Sequence, residues 1–247
     1  MRDFGLNPQQ MLAVQDTDGA ILVIAGAGSG KTRVLTARIC ALVEAGVSPY
    51  NILAITFTNK AANEMKERIE RELGCEAGGV WTSTFHSMCA RMLRMDAERL
   101  GYTRDFTIYT DLESERVVKR VCDTVVGADP KRKGSYLNHI SRAKTAALTP
   151  EEYYEAVKDV VQDAKTVALV YRAYEKELNA CNAMDFDDLL LKTAELFERC
   201  PDVLERWQNR FRYINVDEFQ DTNKLQYRLV RMLSAKWGNV FVVGDED

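Results

Sequence analysis

The chain has no apolar run near the roughly 18 residues that a bilayer crossing requires, and its N-terminus, with Arg2 and Asp3, has no signal-type apolar stretch. A soluble, cytoplasmic protein with no membrane partner is predicted. Histidine is scarce, at two residues, and the six cysteines (40, 75, 89, 122, 181 and 200) form no C-x-x-C pair. That excludes a zinc cluster and a disulfide scaffold, and leaves the thiols as small core hydrophobes or surface groups. With 14 Gly and 5 Pro the sequence is neither collagenous nor of low complexity. It also lacks a basic excess, since its formal net charge is −4. A general cationic coat is therefore absent, while a local basic groove or stacking platform remains open.

What is present is an alternation of short apolar runs with helical patterns. Ala20-Ile21-Leu22-Val23-Ile24 reads as a strand entering a glycine-rich turn, and Thr32 to Ala45 as a helix stopped by Gly46. Ile52 to Thr56 and Val80 to Thr84 read as further strands, separated by a charged helix with Glu64/Arg68 and Glu67/Arg71 at i,i+4. Fully apolar strands alternating with helices predict a parallel sheet with helices on both faces. From Leu112 to Ala183 no strand pattern is evident. That stretch has 12 Lys/Arg against 11 Asp/Glu, so it is less acidic than the rest. Thr110-x-x-Glu113 and Thr149-Pro150-Glu151-Glu152 look like capping boxes, the second opening one long helix through Tyr171. Strand-like sequence returns at Tyr213–Val216 and Val240–Val243. The expected organisation is an α/β core, residues 1–111 and 184–247, interrupted by an all-helical inserted subdomain, residues 112–183.

Ala25-Gly26-Ala27-Gly28-Ser29-Gly30-Lys31-Thr32 follows a strand and opens a helix, the context a P-loop requires. Glycines let successive N–H groups curl around phosphate oxygens at a helix N-terminus. Lys31 would place its ammonium on the β- and γ-phosphates, and Thr32 its hydroxyl on Mg²⁺. Ala25 stands where the first glycine of such loops is usual. Asn215-Val216-Asp217-Glu218 ends another strand. Asp217 would hold the hydration shell of Mg²⁺, and Glu218 would accept a proton from the attacking water. Taken alone, the same residues would read as an acidic turn at a strand end. Lys31 and Asp217 lie 186 residues apart, which demands several strands and an insert between them.

Six segments occur in order: Leu6-Asn7-Pro8-Gln9-Gln10, Ala25 to Arg33, Thr56-Phe57-Thr58-Asn59-Lys60-Ala61-Ala62, Thr84-Phe85-His86-Ser87, Asp185-Phe186-Asp187-Asp188-Leu189, and Val216-Asp217-Glu218-Phe219-Gln220-Asp221-Thr222-Asn223. Together they resemble the ordered motifs of the UvrD/PcrA/Rep-type superfamily 1 DNA helicases, over nearly the whole chain. The resemblance implies a P-loop NTPase core of RecA-like fold that uses ATP and Mg²⁺. It implies that Gln10 reads the adenine edge, with an amide that both donates and accepts. It places Arg33 near the nucleotide and Gln220 near the γ-phosphate, and it gives Lys31, Thr32, Asp217 and Glu218 the roles argued above.

For single-stranded DNA the resemblance points to Thr56, Phe57, Thr58, Asn59 and His86. Backbone N–H groups and hydroxyls would hold phosphates while the Phe57 ring stacks on a base. Core packing for Phe57, and local hydrogen bonding for His86, are the plainer readings. Lys131-Arg132-Lys133, Arg142 and Lys144 would meet duplex phosphates or form a solvated face. Asp187 and Asp188 suit a helix N-terminus in any case.

The resemblance further implies an ATP-dependent DNA helicase or translocase moving 3′→5′. This chain would be its N-terminal fragment, nearly inactive without the second RecA-like domain of the full-length protein and the arginine fingers there. Two other functions share these motifs: a nucleotide-dependent DNA-binding P-loop switch that does not unwind, and the helicase subunit of a helicase–nuclease.

Overall fold

The computed structural model describes residues 4–245 apart from Thr17, Ala27 and Val126, and apart from the side chains of Cys75 and Glu76. In chain order the elements are α1 (Pro8–Gln15), β1 (Ala20–Ile24), α2 (Lys31–Glu44), β2 (Ile52–Thr56), α3 (Asn59–Leu73), β3 (Trp81–Thr84), α4 (Phe85–Asp96), β4 (Thr107–Ile108), α5 (Asp111–Cys122), α6 (Lys133–Thr145), α7 (Pro150–Val157), α8 (Ala164–Ala180), β5 (Ala183–Met184), α9 (Phe186–Arg199), α10 (Pro201–Arg210), β6 (Tyr213–Val216), α11 (Lys224–Ser234) and β7 (Val240–Gly244). None of the described helices is long and apolar enough to cross a membrane.

The chain divides into two compact units. The first takes in residues 1–88, 200–222 and 226–247 and holds a five-stranded parallel sheet in the order β1-β7-β6-β2-β3, flanked by helices. Val, Ile and Leu make up much of β1, β2, β6 and β7, as suits a parallel sheet covered on both faces, whereas β3 is Trp81-Thr82-Ser83-Thr84. Beneath them Leu35, Ile39, Leu42, Ile52, Met65 and Phe241 are almost wholly buried in one cluster. β1 differs. Among the described residues it pairs only with β7, and Leu22 and Ile24 on it are 59% and 52% exposed.

The second unit takes in residues 89–199 and 223–225. It is helical around a core of Val118, Tyr136, Ile140, Val170 and Tyr174, with one two-stranded parallel pair, Thr107–Ile108 beside Ala183–Met184. That pair straddles both ends of the expected 112–183 insert, and α9 packs on α6, so the unit extends beyond the boundaries predicted from the helical pattern. The capping boxes at Thr110/Glu113 and Thr149/Glu152 are both formed. The single long helix expected from Thr149 is instead two, α7 and α8, broken over residues 158–163. The break holds Asp159, Val160, Val161 and Asp163, types that disfavour a helix interior, and Val160 is 82% exposed.

Lys144 also departs from expectation. It is 0% exposed, and its ammonium lies 2.7 Å from Glu175, 2.7 Å from Asp185 and 2.8 Å from Asp188. A lysine enclosed by three carboxylates cannot meet duplex phosphates. Asp185 and Asp188 each accept the other's backbone N–H at the start of α9, so the acidic motif here caps a helix and binds a buried lysine. In the Lys131–Lys133 run, Arg132 pairs with Asp163 and Lys133 with Glu115. Of the described cysteine side chains, Cys40, Cys89, Cys122 and Cys200 are buried and Cys181 is exposed.

Candidate active site

In a parallel α/β sheet the loops that follow the strands gather at the carboxyl edge, where ligands bind. Here β7 runs between β1 and β6, with Ile24 beside Gly244 and Val216 beside Val242. The loops leaving β1, β6 and β7 are therefore neighbours, although they are distant in sequence.

The loop after β1 turns through Gly28 (φ 75°) and Gly30 (φ 88°), left-handed conformations that glycine adopts without strain. Gly30 is the N-cap of α2 and supplies no side-chain cap, so the first N–H groups of the helix face outward. This is the anion-binding end of a helix dipole. Ala27 lies outside the described residues. Ala25 sits at the end of β1, its N–H donating to Gly244 O at 3.0 Å, and its carbonyl accepts from the Lys31 ammonium at 3.1 Å. Lys31 is 8% exposed and also donates to the Asp245 carboxylate. That hydrogen bond raises the Lys31 pKa above its ordinary value against a smaller opposing effect of burial, with Asp245, Glu218 and Asp217 adding charge attraction.

The loop after β6 brings the acidic pair to the same place. Thr32 Oγ1 donates to Asp217 Oδ2 at 3.1 Å, across 185 positions of sequence. Asp217 is 3% exposed, and desolvation, then the neighbouring Glu218 charge, push its pKa above the ordinary aspartate value. Glu218 occupies the left-handed region (φ 51°, ψ 46°), which costs a non-glycine residue on the order of 1–3 kcal/mol. Its backbone N–H donates to Asp217 Oδ1 at 3.1 Å, and its carboxylate accepts from Gln220 Nε2 at 2.9 Å. Gln220 Oε1 in turn accepts the Asp245 N–H at 3.0 Å. Gly244 makes room for this arrangement, since a Cβ there would sit 2.9 Å from Gln220 Oε1 and 3.3 Å from its backbone nitrogen.

An open cleft of about 350 Å³ runs between Lys31, Thr32, Arg33, Arg68, Glu218 and Asp245. Arg68, on α3, was not singled out in the sequence. Its i,i+4 relation to Glu64 marked it as a surface ion pair, whereas the pairs formed on α3 are Lys60–Glu64 and Lys66–Glu70.

Gln10 is the third residue of α1, and its carboxamide completes a capping box by accepting the Asn7 N–H at 2.9 Å. Its Nε2 donates to Ser29 O, within the P-loop, at 2.8 Å. One N–H and one acceptor lone pair of the amide remain, the complement of an adenine edge.

The residues read as DNA contacts lie at the ends of β2 and β3. Thr56 is buried, and its hydroxyl donates to Thr58 O at 3.2 Å, so its side chain fixes the turn. Thr58 caps α3 by accepting the Ala61 N–H at 3.1 Å. Phe57 is half-buried, its ring edge-on to buried Phe85 with centroids 5.8 Å apart. Asn59 is exposed and accepts from Ser87 Oγ at 3.5 Å, and His86 is half-buried in the first turn of α4.

The family described as the UvrD/REP helicase N-terminal domain matches residues 6–247. The ATP-dependent DNA helicase PcrA of Staphylococcus epidermidis (strain RP62A) is 51% identical over 245 residues, 98% of this chain and 33% of that protein. The ATP-dependent DNA helicase PcrA of Staphylococcus aureus (strain Mu50) is 49% identical over the same share of each. The chain thus spans about a third of the length of these relatives.

Proposed function

The chain belongs to the UvrD/REP helicase N-terminal domain family, and from this we propose that it is the ATP-binding and DNA-contacting part of an ATP-driven DNA helicase. The observation that supports the reading is the hydrogen bond between Thr32 and Asp217, which joins the start of α2 to the acidic pair after β6.

The donor set suits magnesium. A hydroxyl and a carboxylate, both hard oxygens, touch one another in a site whose two adjacent carboxylates call for a cation. Thr32 and Asp217 would hold the ion, which when bound neutralises charge on the terminal phosphates. The rest falls to the chain. The N–H groups of Gly26 and of Gly28 to Arg33 would cradle the phosphates, and Lys31 would exchange Asp245 for phosphate oxygen. Gln10 takes the adenine edge and Arg33 lies along the nucleotide. Glu218, steadied by Gln220, accepts the proton of the water that attacks the γ-phosphate.

Single-stranded DNA would cross the ends of β2 and β3, its phosphates on Thr58 and Asn59 and a base against Phe57, with His86 alongside. Duplex ahead of it would be unwound by 3′→5′ movement in the cytoplasm, driven by closure on a second RecA-like domain elsewhere in the same polypeptide. The test is ATPase and strand separation by a protein of the relatives' full length, with and without single-stranded DNA. DNA-stimulated hydrolysis with unwinding, both lost in Lys31→Ala, supports the reading. Nucleotide-dependent DNA binding without unwinding supports a switch instead.

A further inference from the structure

Arg38 is a buried charge in the sheet unit that none of these steps uses. It is 1% exposed. A guanidinium stays charged at any pH a protein meets, and burying it is costly unless its donors are used. α2 carries it from the P-loop toward α1, where its Nη1 donates to Ala13 O at 3.2 Å and to Asp16 O. Its plane lies over the Phe241 ring of β7, 4.5 Å from the centroid.

The two carbonyls belong to the C-terminal end of α1, a helix with no basic residue in its own last turn. The final carbonyls of a helix lack intrahelical donors and gather the negative end of its dipole. Arg38 supplies from another helix the cation that α1 does not carry. Eight residues are too few to make a stable helix unaided, so the position of α1 is set by what holds it. Val14 packs it into the core, and two polar ties fix its ends: Gln10 to Ser29 of the P-loop at the N-terminal end, and Arg38 of α2 at the other.

We infer that Arg38 is a positioning residue for recognition of the nucleotide base. By clamping the carboxyl end of α1 to α2, it fixes the Gln10 amide relative to the phosphate cradle, so base and triphosphate are read by one rigid piece. The inference rests on Gln10 reading adenine, as proposed above. Arg38 itself touches no nucleotide, so its loss changes which base is preferred and leaves the phosphate grip alone.

The test compares calorimetric binding of ATP, CTP and inorganic tripolyphosphate to the full chain and to Arg38→Met, Arg38→Lys and Gln10→Ala. Lysine keeps the charge without the planar fork, and covers the case in which Met prevents folding. Both Arg38 variants are expected to lose about threefold to tenfold of the preference for ATP over CTP, the worth of about one hydrogen bond, with tripolyphosphate affinity unchanged. Preference retained in both Arg38 variants but lost in Gln10→Ala overturns the inference. So does tripolyphosphate affinity falling in step with ATP, which would make Arg38 a support for α2 alone. Preference retained in Gln10→Ala removes the base-reading assignment itself, and the role of Arg38 with it.

Discussion

The Lys31 ammonium and the Asp245 carboxylate form an ion pair at the mouth of the P-loop. The charge that a triphosphate would meet is already matched, and phosphate oxygens must take the place of a carboxylate. Asp245→Asn frees the ammonium and removes a negative charge from the cleft. ATP affinity in the absence of magnesium is expected to rise about tenfold, read by calorimetry, and an unchanged affinity would show that the pair does not compete with nucleotide. The pair also bears on pH. Because Asp245 raises the Lys31 pKa, the contribution of this contact to stability is fully present below the ordinary lysine value of 10.5 and is lost only as pH rises through the higher folded value.

Asp217 presents the opposite balance. Desolvation and Glu218 raise its pKa, so the folded state holds that proton more tightly than the unfolded chain does. Its contribution to stability is present below the ordinary value of 3.8 and declines as pH climbs through the raised one. Asp217→Asn is therefore expected to stabilise the magnesium-free protein at pH 7 by about 2–4 °C in melting temperature, with no gain in strong acid. In a protein of the relatives' full length, the same substitution is expected to abolish ATPase activity. Equal melting temperatures across the pH range would contradict the burial argument.

Gly244 leaves space for the Gln220 amide, which holds Glu218. Gly244→Ala puts a methyl group against Gln220 Oε1 and displaces the amide from its bonds to Glu218 and Asp245. The expected result in a full-length helicase is a kcat about tenfold lower at similar KM, the signature of an interaction made in the transition state. Gln220→Ala should show a similar loss, and a Gly244→Ala enzyme with normal kcat would exclude this role.

Lys144, itself out of solvent, is enclosed by the carboxyl groups of Glu175, Asp185 and Asp188. Lys144→Met leaves them without their cation and should cost about 3–5 kcal/mol in chemical denaturation. Burial raises Asp188 to about 8 despite the lysine, while Lys144 is held well above its ordinary value. With Lys144 charged throughout, the stability that protonated Asp188 contributes should decline as pH rises through about 8. Urea midpoints at pH 6 and pH 9 measure it.

The parts of the site that sequence conveyed best depend on contiguous residues. The P-loop is written in eight consecutive positions and the acidic pair in two, and each follows an apolar strand, so their elements and their meeting at the sheet edge could be anticipated. Lys144 could not. Its partners lie 31 to 44 positions away, on α8 and at the start of α9, and an alternation of charge along the chain does not say which charges turn inward. Arg68 was hidden for a related reason, because an acid four residues earlier is a sufficient local explanation for an exposed arginine. The break between α7 and α8 was missed because Val160 and Val161 continue the apolar spacing while opposing the helix they extend. For Arg38, the decisive partners are backbone carbonyls, which leave no mark in the sequence.

Among the described residues β1 pairs only with β7, and it carries the exposed apolar side chains of Leu22 and Ile24. A strand of this kind is a template on which another copy can grow, because pairing satisfies backbone groups and hides apolar surface at once. Between copies of this 247-residue chain, sticking at high concentration would begin at that strand. A lysine in place of Leu22 would serve as a gatekeeper there, keeping solutions clear without touching the pocket.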